Sequence, residues 1–196
     1  MSLSGQHKDA AQVQRWLNDC NQSFTYEATH HVSVIFNGGF VDPRFPPGTL
    51  EDDINDYFRG LRSETELLAT LDIIASVEAA IRVDFINRAD KHIKDSSGLA
   101  DEFKVLRKKK KAKVSLEEDI LDAWKRHAPE VKPRIDDFGH VLDYRHWLAH
   151  GRYWLFKAKI PKNGGAPPTF IEAKNVSEKL ILALKSSVFG FHPNKV

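Results

Sequence analysis

The chain has 196 residues, 41% of them hydrophobic and 29% charged, which is the composition of a folded domain with a sizeable core. A formal net charge of +2 excludes a global field that would demand a nucleic-acid partner, so any such binding must rest on local patches. The single cysteine, Cys20, excludes an internal disulfide and a cysteine-built zinc framework.

In chain order, residues 8–20 place Ala10, Val13, Trp16, Leu17 and Cys20 on one side of a helical period, and Asn21-Gln22-Ser23 is the expected end of that helix. Residues 24–41 read two ways. Val32 to Phe36 followed by Asn37-Gly38-Gly39 suits a small hairpin. The same residues can close a second helix at Gly38, the reading favoured in an otherwise helical chain. Asp42-Pro43-Arg44-Phe45-Pro46-Pro47-Gly48 is a stiff connector. Thr49 then caps a short expected helix to about Phe58, with Gly60 as its stop.

Ser63-Glu64-Thr65-Glu66 has the pattern of a capping box and opens the longest periodic segment. Leu67, Leu71, Ile74, Val77 or Glu78, Ile81, Phe85 and Ile93 give its stripe, unbroken until Ser96-Ser97-Gly98, the spine of an expected bundle. Asp72, Glu78 and Asp84 keep this run from spanning a bilayer. The N-terminal Met1 to His7 lacks a signal-peptide core, so the expectation is a cytoplasmic chain without a membrane partner. Arg107 to Lys111 are five successive cations, a solvated helix end or loop. Ser115-Leu116-Glu117-Glu118 is a second capping box, Pro129 ends the helix it opens, and Pro133 sits where a first-turn proline belongs. Ile135, Phe138, Val141 and Leu142 carry the next stripe. Pro161 to Pro168 is a turn or loop, and Val176 to Val188 a last helix before a frayed tail at Pro193 to Val196. The sum is an all-α bundle of five to seven helices.

Chemistry concentrates in Val141 to Trp154. Arg145 brings a planar charge able to grip phosphate with two donors, and His146 and His150 can carry protons near neutral pH. Arg145-His146-Trp147-Leu148-Ala149-His150-Gly151 resembles the R-x4-6-H motif of the HEPN superfamily, with His146 in the polar place that follows the arginine. Glu78 and Arg82, one turn apart on the long preceding helix, resemble the second helix of such domains. The resemblance covers roughly residues 63–156. It implies a HEPN-like helical bundle over residues 49–196, with an N-terminal helical extension over 1–48 and a further C-terminal helical segment. It also implies a homodimer whose paired motifs share one cleft, and a metal-independent endoribonuclease needing no cofactor. Toxins, phage-defence factors and RNA-processing enzymes belong to that superfamily, as do members that only bind RNA or protein. On this reading Arg145 and His150 are the catalytic pair, assisted by His146 and supported by Glu78, Arg82 and Asp143. Arg152 and the run Lys108, Lys109, Lys110 and Lys111 are the candidate RNA contacts. RNA is then the partner, with an antitoxin or defence-system protein as a further one. Toxins paired with nucleotidyltransferase antitoxins carry a tyrosine two places after the motif histidine; here that place is Arg152, and Tyr153 follows it.

The residues also leave other readings open. Five positions on an ideal helix turn through about 500°, so Arg145 and His150 stand roughly 140° apart around the axis. Asp143, His146 and His150 share one face at i, i+3 and i+7 and are competent metal ligands, yet Trp147 stands where the metalloprotease pattern requires glutamate. Arg145 can equally pair with Glu78 or Asp143 inside a packed bundle. The lysines can be plain solvated surface, and Tyr153, Trp154 and Phe156 can be core or dimer interface rather than a base-stacking platform.

Overall fold

The computed structural model describes residues 8–39, 42–90, 93, 98–152, 155–156 and 166–193. Among these residues there is no strand, and six α-helices follow one another: α1 (Ala10–Asn37), α2 (Glu51–Asp90), α3 (Leu99–Lys110), α4 (Asp122–His127), α5 (Lys132–Ala149) and α6 (Phe170–Ser186). Short 3-10 turns at Lys111–Lys113 and Pro129–Val131 and a π-helical turn at Leu116–Leu121 link them. Residues 11–69 form one compact unit, and the chain from Thr70 onward, with the segment up to Ala10, forms the other.

In the unit of residues 11–69, Asn21-Gln22-Ser23 does not stop α1, and no hairpin follows it. Such polar residues cost a helix only tenths of a kilocalorie each, about 0.5 kcal/mol. The hydroxyls of Thr25 and Thr29 fold back onto the carbonyls of Asn21 and Thr25 at 2.8 and 2.9 Å. Burial of Ala28 and His31 beyond them keeps the helix going. α1 stops where the glycine was expected to stop it. Gly38 has φ +66°, its N–H donates to Ile35, and the Gly39 N–H reaches back to the Val34 carbonyl at 3.0 Å, a left-handed helix end.

The connector is tied down by its charges. Asp42 accepts twice from the Arg44 guanidinium and once from its backbone N–H, which holds the carboxyl far below the usual carboxylate range. Arg44 also meets the buried His31 ring at 3.2 Å. This sets Phe45 against Ala28, Ile54 and Phe58 in a small apolar core.

Two expected boundaries do not exist. Gly60 is inside α2 rather than at its stop, and the Ser63 capping box is an uninterrupted helical turn. Glycine in a helix interior costs about 1 kcal/mol, less than the burial of Ile54 and Phe58 beside it contributes. The helix therefore begins at Glu51, where Asp53 accepts the Leu50 N–H at 3.1 Å.

In the unit from Thr70 onward, Ile74, Val77, Ile81 and Phe85 enter the main core, as their spacing predicts. They meet Leu99 and Phe103 of α3, Trp124 of α4, Ile135 and Phe138 of α5, and Leu180 and Leu184 of α6. The same side of α2 also buries polar groups. Asp84 and Arg88 are fully enclosed and paired at 2.9 Å. Arg88 donates to the carbonyls of Phe189 and Gly190 and lies 5.1 Å over the Trp124 ring. Asp84 accepts the His192 N–H at 2.7 Å, and Asn87 donates to the His192 carbonyl. The segment after α6 is thereby fastened to α2; of the expected frayed tail, residues 194–196 lie outside the described residues. Among the described residues, no helix is long and apolar enough to cross a membrane.

Candidate functional site

The site grows from the end of α5. Pro133 stands in its first turn, and the apolar positions Ile135, Phe138, Val141, Leu142 and Tyr144 are buried, which fixes the rotation of the helix. The helix closes at His150. Gly151 follows with φ +78° and Arg152 with φ +58°. The Gly151 N–H bonds to Leu148 at 3.2 Å and the Arg152 N–H to Trp147 at 3.4 Å, the double bond of a Schellman end. A side chain on Gly151 would meet nothing within 4 Å, so conformation, not space, calls for glycine there.

Arg145 faces α2, and its side chain is 29% exposed. Its Nη2 stands 3.4 Å from Glu78 Oε2, while Arg82 Nε donates to Glu78 Oε1 at 3.1 Å. One carboxylate thus holds two guanidiniums, and Arg82 also donates from Nη1 to the Val114 carbonyl at 3.3 Å. The Nε of Arg145 is buried and has no acceptor among the described residues. Burying an unmet donor costs about 1–3 kcal/mol, which an anionic oxygen would offset.

His146, the next residue, points its Nε2 at Glu117 Oε1, 3.5 Å away, with both side chains well exposed. Glu117 belongs to the π-helical turn Leu116–Leu121. Ser115 caps that turn by accepting from Glu118 N at 3.3 Å, as its sequence pattern predicts. The reciprocal acceptor is Asp119 rather than Glu118: its Oδ2 takes the Ser115 N–H at 2.8 Å. The shift by one residue follows from the π register, in which Ile120 N bonds back five residues to Ser115 O at 3.2 Å. Lys110 pairs with the buried Asp119 at 2.6 Å. Burial works to raise Asp119, but the bonds from Lys110 and Ser115 outweigh it and hold the carboxyl below its usual range.

The structure therefore gathers Arg145, Glu78 and Arg82 into one ion-pair set and sets His146 against Glu117. Glu117 read in sequence only as part of a capping box, and no sequence signal pointed to it as a neighbour of His146. His150 is exposed at the helix end, with Arg152, also exposed, two places on. Asp143 lines a hollow of about 220 Å³ with Glu117, Glu118, Asp122 and Asp136. Asp143, His146 and His150 do not form a metal-holding group; no cluster of three or more such ligands occurs among the described residues. In the lysine run, Lys108, Lys109 and Lys111 are exposed at the end of α3, whereas Lys110 is engaged by Asp119. Phe156 packs with Tyr144 and Trp147 at 5.3 and 5.8 Å, an aromatic cluster on α5. Tyr153 and Trp154 lie outside the described residues. Searches against family models, curated proteins and solved structures return no match for the chain.

Proposed function

We propose that the chain is a metal-independent endoribonuclease of HEPN type that cleaves RNA through Arg145 and His150 at a cleft shared by two copies of the chain. The observation that carries this reading is the state of Arg145. Its guanidinium shares a single carboxylate with Arg82, remains partly open to solvent, and keeps one buried donor without an acceptor among the described residues. Two cations on one anion leave net positive charge and spare donors, the requirement for holding a phosphodiester. An exposed histidine at the end of the same helix supplies a group competent for proton transfer. The exposed Lys108, Lys109 and Lys111 suit a second contact with an RNA backbone. A role in phage defence, in a toxin system or in RNA processing is consistent with such an activity.

The test is cleavage of RNA by the purified chain in the presence of a chelator. Wild type is expected to cut, and His150→Ala to lose at least about a hundredfold in rate while keeping its helical circular dichroism. A folded His150→Ala that cuts at the wild-type rate removes His150 from the mechanism.

A second reading, a non-catalytic RNA- or protein-binding module, is favoured by one observation: Glu78 already neutralises part of the Arg145 charge in a packed ion pair. That reading predicts RNA retained in gel shifts without cleavage at any protein concentration.

A further inference from the structure

Successive residues of α5 make two grips on different parts of the chain. Arg145 holds Glu78 of α2, and His146 meets Glu117 of the π-helical turn. Arg82 links the two places, since it pairs with Glu78 and donates to Val114, three residues before Glu117. The π turn is itself anchored, by the Ser115 cap and by Asp119 with its Lys110 partner. π turns make up well under about 1% of residues and are frequent at functional sites. Here one presents a carboxylate to the histidine beside the phosphate-gripping arginine.

We propose that Glu117 is a positioning residue that makes His146 the proton acceptor of the ribonuclease site; this rests on the reading given under Proposed function. Transfer within RNA forms the 2′-oxygen to phosphorus bond and breaks the bond from phosphorus to the 5′-oxygen. The proton of the 2′-hydroxyl passes to one imidazole, and a second, protonated imidazole gives one to the departing 5′-oxygen. With Nε2 turned to Glu117, His146 offers Nδ1 to the hydroxyl. The imidazolium that forms is paired at once with the carboxylate, which is what a carboxylate behind a histidine base contributes. His150, one turn further on, then serves as the donor. On its own helix His146 also has Asp143 one turn before it, and Asp143 shares with Glu117 the wall of the acidic hollow. An exposed ion pair of this kind contributes at most about 1 kcal/mol to stability. Removing Glu117 therefore leaves the fold in place and exposes its effect on the reaction.

The experiment is a double-mutant cycle on RNA cleavage by the full chain without metal, comparing wild type, Glu117→Ala, His146→Ala and the double variant. Glu117→Ala is expected to lower kcat about tenfold. KM should stay within about twofold, since the loss falls on the reaction step. In the His146→Ala background the same change should cost nothing further, because Glu117 acts through the ring. Losses that simply add, an unchanged kcat, or a faster Glu117→Ala enzyme relieved of a charge that repels RNA would overturn the proposal while leaving the ribonuclease reading intact. A wild-type chain that cleaves no RNA overturns both.

Discussion

Arg145 sits at the balance between structure and chemistry. Its pairing with Glu78 can be read as packing, but Glu78 also carries Arg82, so neither guanidinium is fully matched. Glu78→Gln keeps the shape and removes the charge that two arginines share. It is expected to lower stability by about 1–2 kcal/mol through weakened charged hydrogen bonds. That corresponds to a fall in Tm of about 2–8 °C for a chain of this size, read by thermal melting at neutral pH. An unchanged melt would mean that water satisfies both guanidiniums as well as the carboxylate does. At this scale the sequence marked Arg145, His146 and His150 by their types and spacing, and named Glu78 and Arg82 as their supports. It was silent on Glu117 as a partner of His146, because nothing in a linear chain tells which turn will pack beside α5.

At the scale of elements, most ends that depend on backbone chemistry were legible. Gly38 closes α1 in a left-handed conformation and Pro129 and Pro133 stand at the boundaries their rings dictate; Gly151, which closes α5 in the same way, was not read as a stop. The ends that depend on weak propensities were not. Asn21-Gln22-Ser23, Gly60 and Ser63 all lie within continuous helix, since buried apolar neighbours outweigh their small penalties. The start of α6 was missed as well: the helix begins at Phe170, capped by Thr169, rather than at Val176. The Thr169 hydroxyl accepts from Glu172 N, and Glu172 accepts from the Thr169 N–H at 2.8 Å. The backbone bond first, then the hydroxyl of Thr169, hold the Glu172 carboxyl below its ordinary value. A lowered carboxylate stabilises the fold above its unfolded value and loses that contribution as pH falls through the folded one. Glu172→Gln should accordingly melt below wild type at neutral pH, and the gap should close in acid. A gap independent of pH would assign the effect to packing instead.

Across the whole molecule, the unit that holds the site depends on charges sealed in its interior. Burial pushes the Asp84 carboxyl upward, against the opposing pull of Arg88 and the His192 N–H. The pair fastens the segment after α6 to α2. Removing one partner strands the other, so Arg88→Met should cost about 3–5 kcal/mol. Asp84→Leu combined with Arg88→Met should recover part of that loss, as measured by denaturant unfolding; a double variant no better than the single would show that the carbonyls of Phe189 and Gly190, rather than Asp84, are what Arg88 serves.

The sequence by itself determined that the chain is helical, that Gly38 and Pro129 end helices, and which side chains on α5 have the functional groups for chemistry, because periodicity, φ preference and functional groups are local properties. Only the tertiary structure decided that α1 and α2 run unbroken, that Asp84 and Arg88 are core, and that Glu117 stands behind His146. Those outcomes depend on which surfaces are buried against each other, and burial is a property of neighbours in space.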